Sequence, residues 1–242
     1  PLHTLAWHDE AESHRYNKIA TWLPEVLSFE RYTGKNVLQV SAGLGIDLAQ
    51  FSKFGAKVTD LEPSAEALEL AQEHFRLRGL DGTFFRDAGT EWPIEDSSLD
   101  LVYCDLPLND GRPLEHFVSQ AWRVLRPDGE VIATFLAERS LHFWRDTVLN
   151  HGIRHSMLQD FSLDEILLRK SDVTRSSATP QARVFTRSEL RRAFGKFKDV
   201  KILQRQLRWS ELPRRLKWFP LDLAERLVGS RLIVKARGVR ER

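Results

Sequence analysis

The sequence predicts an α/β protein: a seven-stranded, mostly parallel sheet with helices on both faces and an antiparallel hairpin at its end. Three observations carry this reading. An apolar strand, Val37-Leu38-Gln39-Val40, breaks into the small-residue turn Ser41-Ala42-Gly43-Leu44-Gly45. A second strand follows, Val58-Thr59-Asp60-Leu61-Glu62, and ends on carboxylates. The alternation then continues to a late pair of strand-like runs, residues 199–207 and 231–236. Strands that alternate with helical stretches argue for crossover units and parallel pairing.

The elements can be justified in chain order. Residues 9–30 recur at helix spacing through Tyr16, Ile19, Ala20, Leu23 and Val26, with Pro24 predicting a kink or two short helices. The turn at 41–45 uses Gly43 and Gly45, whose missing Cβ lets a ligand approach the backbone. Residues 47–54 read as the helix after it, closed by Gly55. Residues 64–79 read as the next helix, capped by Ser64, with Ala67, Leu68, Ala71 and Phe75 on its apolar side. Phe84-Phe85-Arg86-Asp87-Ala88 is a third strand, Leu99-Asp100-Leu101-Val102-Tyr103-Cys104-Asp105 a fourth. Residues 111–125 contain a helix with Phe117, Val118, Ala121 and Val124 inward; Arg126-Pro127-Asp128-Gly129 turns it into a fifth strand. Thr186-Arg187-Ser188-Glu189 is a capping box that starts a helix over 188–194.

The chain of 242 residues suffices for one sizeable α/β unit, and its 42% hydrophobic and 29% charged residues are ordinary for a globular protein. One cysteine, Cys104, excludes an internal disulfide, and no Cys/His spacing suggests a metal site. No apolar run reaches the ~18 residues of a membrane helix, and Pro1-Leu2-His3-Thr4 carries no signal-peptide pattern, so a cytoplasmic protein is expected. The net charge of +2 is unevenly spread. From residue 180 onward 18 Lys+Arg stand against 6 Asp+Glu, leaving the first 179 residues acidic. Such a split suits a basic face for an anionic partner, or complementarity between the two parts.

Acids close three successive strands, at Glu62, Asp87 and Asp105. Taken with the glycine turn and the Arg-Pro-Asp-Gly before strand five, they strongly resemble a class I S-adenosylmethionine-dependent methyltransferase. The similarity is to the small-molecule group that includes the quinone-biosynthesis enzymes (methyltransferase type 11). It spans residues 15–135 and continues loosely to 236. It implies a Rossmann-like fold, S-adenosylmethionine as cofactor, and methyl transfer to a small acceptor. It also implies cofactor contacts at Ser41, Ala42, Gly43, Gly45, Glu62, Pro63, Asp87, Ala88 and Cys104, with Glu62 on the ribose hydroxyls. The family's first strand ends in an acid followed by three alternate glycines; here Gln39 and Ser41 replace the acid and the first glycine. Gln39 accepts a hydrogen bond but carries no charge, so a weaker hold on the cofactor's amino-acid end is expected. The alternative reading is therefore a catalytically impaired protein of this fold acting as a binding or regulatory partner.

No general base stands out, because methyl transfer needs alignment and exclusion of water more than proton removal. Asp105 and His142 are the catalytic candidates; His116 and His151 are more ordinary capping or surface residues. Asp105-Leu106-Pro107-Leu108 only faintly resembles the Asp-Pro-Pro-aromatic motif of amino-group methyltransferases, and Asn109-Asp110 stands where small-molecule relatives carry histidine.

One domain is expected over 1–242: a helical cap at 1–30, a cofactor-binding core at 31–137, a lid or substrate insertion at 138–185, and a C-terminal part at 186–242. The last includes a basic Trp/Arg-rich flap at 208–224. Packing on its own domain, a protein partner or self-association, and a membrane surface all remain open for that flap; nucleic acid is disfavoured, since no RNA-binding module signature appears. The aromatic content of 141–144 and 209–223 suggests a hydrophobic acceptor.

Overall fold

The computed structural model describes residues 4–105, 113–141, 183–207, 209, 211–212 and 218–238. In chain order the elements are α1 (Leu5–His14), a π-helical turn (Arg15–Ile19), α2 (Leu23–Leu27), a 3₁₀ turn (Phe29–Tyr32), β1 (Asn36–Val40) and α3 (Ile46–Lys53). There follow β2 (Lys57–Glu62), α4 (Ala65–Arg78), β3 (Thr83–Arg86), β4 (Leu99–Asp105), α5 (Leu114–Val124) and β5 (Leu125–Ala137). The chain then supplies β6 (Val184–Phe185), α6 (Arg187–Ala193), β7 (Lys198–Arg205), α7 (Leu221–Val228) and β8 (Arg231–Arg237).

One sheet runs in the order β3-β2-β1-β4-β5-β8-β7. The pairs from β3 to β5 are parallel; β8 is antiparallel to both β5 and β7. The expected late hairpin is thus present. Eight strands replace the expected seven because Val184 and Phe185 pair in parallel with Leu136 and Ala137, the part of β5 that overhangs β4. The expected turn at Pro127–Gly129 lies inside β5, where the register with β4 slips between Leu99 and Leu101. Asp128 takes a left-handed φ of 67° there, and its amide donates to the Gly238 carbonyl.

Parallel strands are covered on both faces, so they are apolar nearly throughout, and successive side chains feed opposite layers. Leu38, Val40, Val102, Cys104, Val131 and Ala133 face the layer closed by α5 and α6. Val37, Val58, Leu101, Tyr103, Ile132 and Ile233 face α2, α3 and the 3₁₀ turn. The predicted caps are observed. Ser64 Oγ accepts from the Ala67 amide, Gly79 closes α4 in the left-handed conformation, and Thr186 and Glu189 form the full capping box. Pro24 sits in the first turn of α2, separate from α1 as its ring demands.

Between β7 and β8 the flap contains α7, a helix the sequence reading did not anticipate. Its Leu221, Ala224 and Val228 pack with Leu207 and Leu212 in a small third core. The lid or substrate insertion expected at 138–185 falls almost wholly outside the described residues, as do residues 106–112.

Consecutive strands β1, β2 and β3 step in one direction; β4 returns to the other side of β1. That reversal opens a crevice beyond the carboxyl ends of β1 and β4, the place where such sheets take ligands. Phe51 of α3 fastens the wall of this crevice. It is fully buried, with ring centroids 4.8 Å from Phe29, 5.6 Å from Tyr32 and 6.3 Å from Tyr103. Phe51→Ala should lower stability by about 3–5 kcal/mol, read by urea unfolding; a loss under about 1 kcal/mol would mean this aromatic layer does not anchor α3.

Candidate functional site

The loop after β1 rises through three alternate left-handed residues: Ser41 (φ 58°), Gly43 (φ 60°) and Gly45 (φ 66°). Each has its own reason. A Cβ on Gly45 would stand 3.2 Å from that of Ala71, so glycine lets α3 and α4 close together. Space above Gly43 is open, which leaves backbone facing the crevice. Ser41 holds the same conformation with a side chain, at a strain of about 1 kcal/mol, while its amide donates to the Leu61 carbonyl.

Glu62 ends β2 beneath this loop and is 4% exposed. One carboxylate oxygen accepts from the Gly43 amide at 3.0 Å, the other from the Ser64 amide at 3.2 Å. Burial pushes its carboxyl up, and those two amides pull it partly back. Pro63, half-buried, leads from it to the cap of α4. Asp87 lies at the next strand end; its amide donates to the Glu62 carbonyl, and its Oδ1 accepts from Gly89 N at 2.9 Å. Ala88 beside it is exposed. Cys104 is fully buried in the layer that faces α5.

A cavity of about 280 Å³ opens over the loop, lined by Arg15, Gln39, Ser41, Leu44, Asp47 and Asp105 among others. Asp47, at the start of α3, is 2% exposed and is the centre of the polar network. It accepts from Arg15 Nε at 2.7 Å, from Arg15 Nη2, from Tyr16 Oη at 2.7 Å and from Tyr103 Oη at 3.0 Å. Burial together with Asp47 holds both tyrosines well above their ordinary range, so both remain donors. Arg15 also reaches Asp105 Oδ2 at 3.1 Å, and Thr134 Oγ1 donates to Oδ1. Burial alone would raise Asp105, but Arg231, Arg15 and the Thr134 hydroxyl together hold it below the usual carboxylate value. Gln39, 2% exposed, turns an Oε1 with no hydrogen-bond partner among the described residues.

The sequence reading did not assign Arg15 or Asp47, and it missed a histidine pair. His8 and His74 stack in parallel with centroids 4.1 Å apart. Burial pulls His74 down to about 4, so it is neutral. Its Nε2 accepts from Arg78 Nε at 2.6 Å, which leaves the proton on Nδ1 to donate to the Leu44 carbonyl at 2.8 Å. A helix-facing histidine thereby ties α4 to the glycine loop. Of the other histidines weighed from sequence, His116 is half-buried on α5 and does not line the cavity; His142 and His151 lie outside the described residues.

Asp47→Asn should destabilise the fold by about 3 kcal/mol, and Tyr16→Phe by about 1 kcal/mol, because the first removes the buried charge that pairs with Arg15 and sets an amide NH₂ against its donors, and the second removes one donor. Urea unfolding measures both; equal small losses would deny Asp47 its central role.

A second carboxyl beneath the loop adds a pH dependence. Asp60 is fully buried, in register beside Gln39, and burial, with help from Glu62, pushes it up to about 7. A carboxyl whose folded pKa exceeds its unfolded value binds its proton more tightly when folded. Its contribution is greatest below about pH 4 and declines as pH rises to about 7. Asp60→Asn should therefore match the wild type near pH 4 and exceed it in stability at pH 8; the opposite ordering at pH 8 would contradict the assignment.

Comparison with known proteins places these features in a lineage. Residues 37–129 match the methyltransferase-domain family. The chain is 27% identical over 198 residues to phthiotriol/phenolphthiotriol dimycocerosates methyltransferase 1 of Mycobacterium ulcerans, spanning 79% of this chain and 70% of that protein. It is 28% identical over 99 residues to demethylmenaquinone methyltransferase of Tropheryma whipplei, a match that spans 41% of each. A solved S-adenosylmethionine-dependent methyltransferase from Methanosarcina mazei shares the fold, with a TM-score of 0.62 at 18% identity over 90% of this chain and 98% of that one. Its glycine loop, its carboxylates at successive strand ends and this sheet order give the chain the fold of the class I S-adenosylmethionine-dependent methyltransferases, and the domain match over residues 37–129 accords with it.

Proposed function

We propose that this chain transfers the methyl group of S-adenosylmethionine to a small acceptor with apolar character. The observation that carries the reading is the orphaned, buried Gln39 Oε1 in a cavity whose other charged groups are Arg15, Asp47 and Asp105. The cofactor's amino-acid end is a zwitterion, and this lining offers both signs. Gln39 Oε1 would accept from the ammonium, and the Arg15 guanidinium would face the carboxylate. The charge that Gln39 lacks is available from Asp105, which is ionised, and from Asp47 behind it. Glu62 would take the ribose hydroxyls, with Pro63, Asp87 and Ala88 along the adenosine and Ser41–Gly45 backbone beneath the methionine; Cys104 would contribute through its place at the end of β4.

When bound, the cofactor supplies an electrophilic methyl group on a sulfonium centre. The protein's own share is to align the acceptor and exclude water. Asp105 suits an orienting role better than a basic one, since Arg15, Arg231 and Thr134 hold its pKa low. The apolar acceptor is supported by relatives named for a menaquinone precursor and for mycocerosate lipids. No helix among the described residues is long and apolar enough to cross a membrane, so such an acceptor would be met at a surface or in solution.

Calorimetric titration with S-adenosylmethionine and S-adenosylhomocysteine tests the reading. Glu62→Ala should weaken binding by ~1.5–3 kcal/mol, roughly tenfold to a hundredfold; an unchanged dissociation constant would remove Glu62 from the site. Gln39→Glu with Ser41→Gly should tighten it, by adding charge and relieving the left-handed serine. If neither the wild type nor this double variant binds at millimolar cofactor, methyl transfer fails as the function and a binding protein on this scaffold is left. Transfer of labelled methyl into solvent-extractable product then tests the apolar acceptor.

A further inference from the structure

A second cavity, about 440 Å³, opens where the upper ends of β5, β7 and β8 meet α6 and α7. Four arginines line it: Arg139 after β5, Arg187 and Arg191 on α6, and Arg226 on α7. Among the described residues no carboxylate lines it. Arg15, Arg31, Arg76, Arg78, Arg123, Arg126, Arg183 and Arg205 are each ion-paired. Among the described residues none of the four cavity arginines is.

Their convergence is built rather than casual. Gln204 of β7, 4% exposed, lies at the base. Its Nε2 donates to the Arg139 carbonyl at 3.1 Å and the Gly229 carbonyl at 2.7 Å, and its Oε1 accepts from Arg187 Nη2 at 2.9 Å. Arg187 Nη2 also donates to the Arg226 carbonyl at 2.8 Å. One buried amide therefore ties together the three segments that carry the four arginines. Gathering like charges in a concavity raises their mutual repulsion and focuses a positive field. An anion removes that repulsion, and guanidinium forks match phosphate oxygens two at a time. Phe185 and Leu227, the latter 67% exposed, add an apolar wall and rim.

We propose that this cavity is a binding site for a phosphate or diphosphate group, either a free anion or the head of a small amphiphile. It is separate from the loop cavity: β1 and β5 are two strand spacings apart, ~10 Å, and β7 lies about twice as far. The site does not depend on the methyl-transfer reading, because anion binding is read directly.

The test is calorimetric titration of the full chain with inorganic pyrophosphate and with geranyl diphosphate, against sodium chloride at matched ionic strength. Saturable binding of either is expected. Tighter binding of geranyl diphosphate assigns the amphiphile as source; equal binding assigns the free anion. Arg191→Glu with Arg226→Glu should weaken binding by at least about tenfold with the melting temperature and cofactor binding unchanged. Arg192→Glu, on the same helix but away from the lining, should change it less than about twofold. Absence of saturable binding above the salt control overturns the proposal, as does an equal loss in Arg192→Glu. Should the double variant unfold, Arg139→Gln alone gives the same reading.

Discussion

The buried Asp47 carboxylate is the constraint on which the upper end of this molecule depends. A carboxylate at 2% exposure needs its lone pairs filled, and four hydrogen bonds from three residues fill them. Those donors come from the π-helical turn and from β4, while Asp47 itself begins α3. The amino-terminal helices are consequently fixed against the sheet by polar bonds at their end, as well as by the aromatic layer around Phe51. Arg15 then spans Asp47 and Asp105, so the cap, the glycine loop's helix and the end of β4 are tied together.

That rigidity bears on the loop between them. Ser41, Gly43 and Gly45 repeat one backbone conformation at every second residue, and only the last two are glycine. A serine persists in that region only where the surroundings over-determine it. Here the Leu61 carbonyl holds Ser41 N, Glu62 holds Gly43 N, and His74 holds the Leu44 carbonyl. Glu62 therefore braces the loop, in addition to the ribose contact proposed for it. Glu62→Gln would oppose an amide NH₂ to a backbone N–H, so the amide variant is no conservative stand-in.

The alternation of strands and helices was legible because each apolar run is bounded by a chemically specific stop: Gly79 past α4, Ser64 before it, the Thr186–Glu189 box before α6. The acids at the strand ends, Glu62 and Asp87, were legible for the same reason, since a strand end is marked by its turn. Asp47, Arg15 and His74 were not. A single acid or base on a short helix has no sequence neighbour that betrays its partner, and Arg15 meets Asp105 across 90 positions. The helix α7 was hidden by composition: its Leu221, Ala224 and Val228 spacing sits in a stretch whose tryptophans and arginines dominate any reading. Gln39 shows the converse. Sequence reading scored it as a lost charge; the fold adds acids from α3 and β4 around the same cavity, which no reading of the β1 strand alone reveals.

The uneven charge of the chain finds part of its physical meaning in these two cavities. Around the glycine loop, cations and anions are intermixed and mutually paired, so the field there is short-ranged and suits a zwitterion. At the β5–β7–β8 end the four cavity arginines have no ion-pair partner among the described residues, and the field reaches outward. Both cavities open beyond the upper end of one sheet, and the parallel and antiparallel halves of that sheet carry the opposite charge regimes. The antiparallel extension is thus more than an edge that closes the sheet. It sets Arg187, Arg191 and Arg226 at the same end of the sheet as the glycine loop.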